Sequence, residues 1–408
     1  MKYDGIIIGG GPAGMFAAIT AANLGQKVLL LERGNRLGKK LLITGKGRCN
    51  VTNDCDVREV LRNIPRNSRF LYSALSACPP EDVKRFFESL NCPLKTERGN
   101  RVFPISDRSA SVLDALRKGM EQAGVTVAYD KRVTDITVQD NCVTGVAIGK
   151  QTISSNWVLL STGGMSYPST GSTGDGYKLA QRLGHRIITP EGSLVPLEAE
   201  NDCIDMQGLS LRNVGVRLLD DSGKLLFSDF GELLFTHFGV SGPTVLSASA
   251  HLSKNNCKLV IDLKPGLEEA KLNDRILRDL QLYRNRSMEN ALTDLLPRSM
   301  IPVVLKRLDI DPSMQANALN KQKRQSMVKL LKNFPVTIYR KRPVEEAIIT
   351  SGGVDVSQIF PKTMESKLVS GLYFAGEVID CDAYTGGFNL QIAWSTAYAA
   401  ATAAGSRS

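Results

Sequence analysis

The feature that most constrains the fold is an apolar run that leads into three spaced glycines near the beginning of the sequence. Residues 6–8 are all isoleucine and run directly into Gly9, Gly11 and Gly14, in the spacing G-x-G-x-x-G. Gly9 allows a tight turn, Gly11 lets the backbone approach a pyrophosphate, and Gly14 lets the following helix pack closely on the strand. The N terminus of that helix offers free N–H groups and the positive end of its dipole. The pattern therefore predicts a nucleotide-binding α/β domain.

A second strand ending in an acidic residue completes the nucleotide-binding unit. Residues 28–31 are apolar and are followed by Glu32, at the distance from the glycines that a dinucleotide site requires. A carboxylate there accepts hydrogen bonds from both ribose hydroxyls and repels a 2′-phosphate, which disfavours NADP at this site. The predicted dinucleotide contacts in this part of the chain are Gly9, Gly11, Pro12, Ala13, Gly14, Glu32 and Arg33.

Two later segments favour FAD over NAD as the dinucleotide. The apolar run 157–160 enters the small-residue turn 161–164, and a second apolar run, 371–374, ends in Ala-Gly-Glu. Residues 385–389 then open the last helix, whose free N–H groups suit a pyrophosphate or flavin ring oxygens. Each segment alone is also typical of an ordinary turn and helix cap, but together they match a two-part FAD cradle. The predicted cofactor contacts here are Thr162, Gly163, Gly164, Gly376, Glu377, Gly387, Phe388 and Asn389.

The order of patterns along the chain predicts an insertion into a discontinuous nucleotide domain. Strand-like and helix-like patterns alternate up to about residue 190, and short alternating runs broken by turns follow. A leucine-rich, charged and glycine-poor segment precedes a return of strand-like character. The expected fold class is α/β, with a two-part Rossmann-like FAD-binding domain, an inserted antiparallel β-barrel-like domain and a small helical bundle. The expected ranges are 1–190 and 345–408 for the FAD-binding domain, 191–265 and 334–344 for the barrel, and 266–333 for the helices.

Composition limits the kind of protein this can be. With 408 residues, 42% of them hydrophobic, the chain can bury a large core without disulfides or a structural metal. The eight cysteines include no Cys-x-x-Cys pair and there are only three histidines, so we expect reduced cysteines and no metal site. We also expect a cytoplasmic protein with no membrane partner, because no secretory signal or membrane-length apolar run is recognisable. The net charge of +10 fits nucleic-acid binding, steering of anionic ligands or a merely solvated basic surface. Because the basic clusters lack interleaved aromatic residues, we expect no nucleic-acid partner.

Several longer motifs resemble the BaiN/aminoacetone-oxidase-like family of bacterial flavoproteins, and the resemblance covers essentially the whole chain. They are the segments 36–41, 44–53, 169–176, 233–239, 241–243, 350–354 and 385–389. The resemblance implies a two-part FAD domain with an inserted barrel and helical bundle. One departure is Lys46, which stands where many members have glycine, so the conformation or charge of this loop differs here.

The resemblance also implies roles for a loop and for individual residues. It implies that the loop 45–50 approaches the flavin, and that Val133 contacts adenine through its backbone. It further implies that Glu377 binds the ribityl hydroxyls. The remaining cofactor contacts expected from it are Lys40, Thr44, Gly45, Gly47, Arg48, Cys49 and Asn50. Arg48 is a candidate catalytic residue that stabilises negative charge on reduced flavin, or else a structural arginine. For Cys49 a packing role is favoured over a redox role.

His237 is a second candidate catalytic residue, because it is the one histidine inside a distinctive motif, Leu-Leu-Phe-Thr-His-Phe-Gly. Its alternative role is to stabilise the turn that follows. We interpret His185 and His251 as surface or cap residues. The predicted function is hydride transfer between a small organic substrate and bound FAD, with NAD(P)H as a transient electron donor. Alternatives are an amine oxidase that uses oxygen, or a non-catalytic flavoprotein that binds RNA or senses redox state. The oligomeric state stays open.

Overall fold

The structure is a computed structural model that describes residues 2–252 and 257–406. Two compact units make up the chain: unit 1 is Met1–Ser193 with Val344–Ser408, and unit 2 is Leu194–Pro343. Residues 1, 253–256, 407 and 408, which the expected domain ranges include, lie outside the described residues.

Unit 1 contains the nucleotide-binding fold. Its strands are β1 Tyr3–Ile8, β2 Val28–Leu31, β3 Thr52–Asn53, β4 Leu94–Glu97, β5 Arg101–Pro104, β6 Thr126–Ala128, β7 Asp135–Gln139, β8 Cys142–Ile148, β9 Gln151–Leu160, β10 Ile187–Ser193, β17 Ile349–Val354 and β18 Leu372–Phe374. Its α-helices are α1 Pro12–Asn23, α2 Lys39–Ile43, α3 Val57–Arg62, α4 Ser68–Ala77, α5 Pro80–Ser89, α6 Ser109–Gln122, α7 Asp175–Arg182 and α14 Phe388–Gly405.

The main sheet of unit 1 has seven strands, in the order β6-β2-β1-β9-β8-β7 with β18 beside β9. Strand β1 pairs in parallel with β2 and β9, and β18 pairs in parallel with β9, so their carboxyl ends meet at one edge. Helices α1 and α14 pack against each other. Because both faces of these central strands are covered, their sequences are continuous apolar runs rather than alternating ones.

Aromatic side chains fill the core of unit 1 beside α14. Trp394 is fully buried, and its ring lies 5.5 Å from that of Phe16 and 5.4 Å from that of Phe87, measured between centroids. Its indole N–H donates to the carbonyl of Val51 at 2.9 Å, which satisfies the one polar atom of the side chain. The last helix is thereby held against the start of β3 and against α5.

Strands β10 and β17 form a two-stranded antiparallel sheet where the chain leaves and re-enters unit 1. Ser193 pairs with Ile349 at the end of this ladder. Strand β17 continues through Gly352 and Gly353 to Val354, and both glycines have positive φ. A Cβ on Gly352 would lie 2.4 Å from the carbonyl oxygen of Thr189, so only glycine fits there.

Unit 2 contains a closed barrel and a group of helices. Its strands are β11 Leu197–Ala199, β12 Ser210–Leu219, β13 Leu225–Thr236, β14 Gly239–Ser241, β15 Cys257–Asp262 and β16 Phe334–Lys341, and its α-helices are α8 Asp202–Asp205, α9 Pro243–Ser249, α10 Glu269–Leu282, α11 Met288–Ala291, α12 Ile301–Arg307 and α13 Lys321–Lys332. The barrel closes in the order β11-β14-β13-β12-β15-β16. Barrel interior and helices share one hydrophobic core. The predicted fold class, a Rossmann-like domain with an inserted antiparallel barrel and helices, is confirmed. Within residues 2–252 and 257–406, no helix is long and apolar enough to cross a membrane.

Candidate functional site

A deep cleft in unit 1 opens at the edge where the parallel strands end. The space inside it, with the open solvent at its mouth included, is about 1340 Å³. Its wall is built from the turn after β1, the end of β2, helix α2, the turn after β9, the start of β17, the segment after β18 and the start of α14. The cleft therefore lies where doubly wound sheets bind nucleotides.

The glycine turn at one end of the cleft has the geometry that a pyrophosphate needs. A Cβ on Gly14 would lie only 2.0 Å from the carbonyl oxygen of Gly9, which explains the close packing of α1 on β1. A Cβ on Gly11 would meet no heavy atom closer than 4.0 Å, so space for a ligand remains beside it. In the described part of the chain no side chain caps α1. Its first N–H groups are thus available to an anion.

Glu32 is held at the end of β2 by two backbone N–H groups. Gly10 donates to Oε2 at 2.8 Å and Gly34 donates to Oε1 at 2.7 Å. Each oxygen keeps further acceptor capacity, because a carboxylate oxygen accepts more than one hydrogen bond. The carboxylate is therefore fixed in one orientation on the cleft wall, as a ribose-binding acid would be.

Cations outnumber carboxylates around the cleft. The lining cations are Arg33, Arg36, Lys39, Lys40, Lys131 and Arg132, and the lining carboxylates are Glu32, Asp175 and Glu377. Arg132 Nη2 lies 2.9 Å from Asp175 Oδ1, and Arg33 Nη1 lies 3.0 Å from Oδ2. Burial alone would raise the pKa of Asp175, but the hydrogen bond and charge of Arg132, with the charge of Arg33, hold it below its usual range. The surplus of positive charge suits a ligand that carries two phosphates.

A lysine–glutamate ion pair lies on the wall of the cleft. Lys40 Nζ lies 2.6 Å from Glu377 Oε2, and it donates to Ser166 Oγ at 2.6 Å. Glu377 Oε1 also accepts from the backbone N–H of Thr350 at 2.9 Å. Gly164 lies beneath this group, where a Cβ would be 2.3 Å from Thr350 Oγ1. Glu377 is thus on the wall as the sequence predicts, with its carboxylate already hydrogen bonded by protein donors.

The residues present in the cleft fit FAD. Space remains beside Gly11, where a Cβ would meet no heavy atom closer than 4.0 Å. The carboxylate of Glu32 is held in place by two backbone N–H groups, and cations outnumber carboxylates in the lining. These features suit the pyrophosphate and the ribose of a dinucleotide.

The start of α14 closes another side of the cleft. Asn389 lines the cleft, and its amide accepts from the N–H of Ala383 at 2.8 Å and donates to the carbonyl of the same residue at 2.7 Å. Gly387 has a φ of +99°, and a Cβ there would lie 2.4 Å from the carbonyl oxygen of Thr52. The Gly-Gly-Phe-Asn segment is therefore shaped by close backbone contact, which only glycine permits at this position.

Among the described residues no member of the loop 45–50 lines the cleft, and only Thr44, which precedes the loop, does so. Arg48 is instead bound by carboxylates, with Glu97 at 2.5 Å and Asp107 in contact, and its guanidinium lies 4.1 Å from the centroid of the Phe103 ring. The hydrogen bond from Arg48 lowers the pKa of Glu97. The side chain of Arg48 thus has a structural environment in this structure.

Two other residues of this loop have unusual environments. Lys46 has a φ of +57°, in the left-handed region that glycine adopts with less strain than lysine. Cys49 is completely buried, and burial raises the pKa of its thiol well above the usual range. A buried, protonated thiol is inert, so the structure supports the packing role of Cys49 over a redox role.

His185 was predicted to lie at the surface or in a cap. The surface position is wrong, but His185 does contact the carbonyl of Ala180 in the last turn of α7, as a cap residue would. It is 2% exposed, with Nε2 2.8 Å from Ser366 Oγ and Nδ1 3.2 Å from the carbonyl oxygen of Ala180. The sequence around it carries no pattern that reveals burial. His237 is exposed in unit 2, at the turn between β13 and β14, where its ring contacts Phe238.

The cleft unites most of the predicted cofactor contacts. Those that line it are Gly9, Gly11, Pro12, Ala13, Glu32, Arg33, Lys40, Thr44, Val133, Thr162, Gly163, Gly376, Glu377 and Asn389. Those outside its lining are Gly14, Gly45, Gly47, Arg48, Cys49, Asn50, Gly164, Gly387 and Phe388. Sequence reasoning missed Arg36, Lys39, Lys131, Arg132 and Asp175, although three of them stand in the motifs quoted for the family resemblance.

Comparison with known proteins agrees with this geometry. A 3-dehydro-bile acid delta(4,6)-reductase of Clostridium scindens is 30% identical over 416 residues, covering 98% of each chain. A ribosomal RNA dihydrouridine synthase of Escherichia coli is 30% identical over 402 residues, covering 98% of this chain and 97% of the relative. Among solved structures, the 3-ketosteroid delta1-dehydrogenase of Sterolibacterium denitrificans aligns over the whole of both chains with a TM-score of 0.55 and 13% identity, which shows the shared fold.

Family membership follows from the span of these matches. Residues 3–403 match the family described as HI0933-like protein Rossmann domain. The resemblance inferred from the motifs is confirmed, as is the expectation of FAD as cofactor. With its full-length match and its FAD-type cleft, the chain belongs to the HI0933-like family of FAD-dependent oxidoreductases.

Proposed function

We propose that this enzyme reduces a carbon–carbon double bond that is conjugated with a carbonyl group, by hydride transfer from FAD held in the cleft of unit 1. The observation that carries the proposal is what the full-length relatives share. A 3-dehydro-bile acid delta(4,6)-reductase acts on double bonds conjugated with a ketone, and a dihydrouridine synthase saturates the ring double bond of uracil, which is conjugated with a carbonyl. The substrates named for the two relatives differ in size, but the bond that is reduced is of the same kind.

The residues of the cleft have distinct tasks in this proposal. The uncapped start of α1 and the surrounding cations bind the pyrophosphate, and Glu32 binds the ribose of the adenosine half. The Lys40–Glu377 pair orients the ribityl chain, and Val133 contacts the adenine. Reduced FAD, when bound, supplies the hydride. Since the sequence has a single complete glycine fingerprint, NAD(P)H binds transiently as the electron donor rather than as a resident cofactor.

The two predicted catalytic side chains stand differently in the proposal. For Arg48 the alternatives are stabilising negative charge on the reduced flavin and a structural role, and its pairing with Glu97 and Asp107 favours the structural role, which we adopt. His237, which is exposed, supplies or removes a proton on the substrate. Replacement of each by alanine separates these roles, because a structural residue alters stability while a proton-transfer residue alters the pH dependence of turnover.

The second candidate function is the formation of dihydrouridine in RNA. It is favoured by the full-length match to two ribosomal RNA dihydrouridine synthases and by the net charge of +10. A strongly basic protein binds the phosphate backbone of RNA through its cations. Binding of a small steroid ketone does not require an excess of cations.

The experiment that tests the proposal is an anaerobic half-reaction study. The purified holoenzyme is first mixed with NADH or NADPH, and bleaching of the flavin absorbance shows that the nicotinamide is a donor. The reduced enzyme is then mixed with a conjugated steroid dienone or with unmodified ribosomal RNA transcribed in vitro. Reoxidation of the flavin together with a product two hydrogens heavier supports the proposal. Reduction of the flavin by amines alone, with reoxidation by air alone, contradicts it and identifies an amine oxidase.

A further inference from the structure

A β-bulge on the barrel of unit 2 exposes two consecutive side chains that would otherwise point to opposite faces. In the β11–β16 ladder, Glu198 pairs with Arg340 whereas Ala199 pairs with Ile338, which leaves Tyr339 as the extra residue. Up to this point β16 alternates, with Val336 and Ile338 fully buried. At the bulge the alternation stops. Tyr339 is 47% exposed and the Arg340 side chain is 67% exposed. Bulges of this kind re-aim side chains and are frequent next to functional sites.

Hydrogen bonds to Glu198 fix the positions of the arginine side chains around the bulge. Glu198 accepts from Arg340 Nε at 2.6 Å through Oε2, and from Arg342 Nη1 at 2.9 Å through Oε1. The hydrogen bond from Arg340, followed by that from Arg342, lowers the pKa of Glu198, so the acid stays charged and holds both arginines. The Arg342 guanidinium lies 4.9 Å from the centroid of the Phe238 ring. One carboxylate thus orients two guanidinium groups.

The turn between β13 and β14 adds to the same part of the barrel. Its residues His237 and Phe238 belong to the distinctive motif 233–239, and their rings meet at 4.9 Å with an interplanar angle of 79°. The backbone carbonyl of Phe238 accepts from the N–H of Ala199 on β11, which ties the turn to the strand that bears Glu198. Because Arg342 stacks on Phe238, the turn and the bulge are continuous. We call this set, His237, Phe238, Tyr339, Arg340 and Arg342, the bulge surface.

We propose that the bulge surface is a docking site for single-stranded RNA, which deepens the RNA form of the proposed function and rests on it. Single-stranded RNA is bound by aromatic rings on which bases stack, next to cations that meet the backbone. The bulge surface combines an exposed tyrosine, an exposed histidine and two guanidinium groups that Glu198 orients. Arginine suits this task because its planar group binds phosphate and stacks on rings at the same time.

Charge on the whole chain supports RNA over other occupants. The net charge is +10, and the basic run 340–342 contributes three of the positive residues, two of which pair with Glu198. In the sequence alone, no aromatic residue interleaves the basic clusters. The fold supplies aromatic neighbours, because Tyr339 precedes the run and Phe238 reaches it from another strand.

The test is RNA binding measured by fluorescence anisotropy with the FAD-loaded full chain. The probe is a fluorescein-labelled single-stranded RNA of about 12 uridines, within the range of site sizes for such surfaces. A variant with Tyr339→Ala and Arg340→Ala is compared with wild type. We expect its Kd to rise at least about tenfold, and the slope of log Kd against log salt to fall by about one.

Two further variants separate the surface from general effects. The first carries Tyr72→Ala and Arg62→Ala in unit 1, where the tyrosine is 57% exposed and the paired Arg62 side chain is 75% exposed. It should bind RNA as wild type does. The second carries the conservative changes Tyr339→Phe and Arg340→Lys and should retain most of the affinity. It keeps the test valid if the alanine variant loses its fold, which thermal melting and FAD content report.

The outcomes distinguish this inference from the proposed function. Equal weakening in the alanine variant and the unit 1 control overturns the bulge surface as the docking site. Failure of the wild-type chain to bind RNA at low salt also overturns it, and continued reduction of a steroid dienone then shows that the proposed reductase acts on small molecules. RNA binding that depends on Tyr339 and Arg340, with no reduction of either substrate, upholds the docking site and refutes the reductase proposal.

Discussion

The replacement Glu32→Gln tests how the cleft of unit 1 holds the ribose of its dinucleotide. The two oxygens of Glu32 each accept a backbone N–H, from Gly10 at 2.8 Å and from Gly34 at 2.7 Å. Glutamine has the same shape but one oxygen and one NH2 group. Whichever way the amide is turned, one of these N–H groups faces a donor instead of an acceptor.

The magnitude follows from the loss of a charged acceptor. Hydrogen bonds to charged groups contribute roughly 1.5–3 kcal/mol, and each 1.4 kcal/mol is about a tenfold change in Kd. We therefore expect Glu32→Gln to weaken FAD binding roughly 10- to 100-fold, while the fold of unit 1 persists. Titration of the deflavinated protein with FAD, followed by quenching of the flavin fluorescence, measures the change directly.

A matched control is available elsewhere in unit 1. Glu365 Oε1 accepts from the backbone N–H of Gly371 at 2.9 Å, and Glu365 is outside the described lining of the cleft. Glu365→Gln makes the same chemical change and should leave the Kd for FAD unaltered. The reasoning is refuted if Glu32→Gln keeps the wild-type Kd, or if both variants lose FAD equally.

Three other replacements test separate parts of unit 1. Gly14→Ala places a Cβ 2.0 Å from the carbonyl oxygen of Gly9, so we expect it to abolish FAD loading and to lower the melting temperature. The control Gly266→Ala, whose Cβ would have no atom within 4 Å, should do neither. Equal effects of the two variants would contradict the packing argument. Burial lowers the pKa of His185 below the ordinary value of about 6.5, so the stability due to its neutral form is complete above that pH and is lost as the pH falls toward the lowered pKa. Urea unfolding between pH 5 and 7.5 should show this slope, and the slope should disappear in His185→Gln. Arg48→Ala should leave the flavin spectrum and reduction rate nearly unchanged, because carboxylates already neutralise that guanidinium; stopped-flow reduction slowed by an order of magnitude would restore the catalytic role.

Much of the fold was predictable because its signals are local. The apolar strand, glycine spacing and terminal Glu32 lie within one short segment, and each has a steric or electrostatic reason that holds in any surroundings. The inserted barrel was predictable from turns and short alternating runs. The extent of β17 was not, because Gly352 and Gly353 resemble a break. Their role depends on the backbone of β10, which lies far away in sequence.

The site was predictable where the backbone forms it and less so where side chains from distant segments meet. Lys40 and Glu377 are separated by 337 positions, and nothing in either segment indicates that they form a pair. The partners of Arg48 come from the β4–β5 region, so only the fold reveals that its charge is already neutralised. The burial of His185 likewise depends on Ser366 and Phe374, which pack on it from the far end of the chain.

The antiparallel pair β10–β17 has a consequence for synthesis on the ribosome. The chain leaves unit 1 after Ser193 and returns to the same ladder at Ile349, so all of unit 2 is translated between the two halves of the cleft wall. Strand β18, Glu377 and helix α14 emerge last, although they line a cleft whose glycine turn emerges first. A nascent chain therefore exposes the apolar surface of α1 until its partner α14 is made, and the cleft wall is complete only after α14 has been made. We expect a polypeptide that is truncated within unit 2 to lose the cofactor.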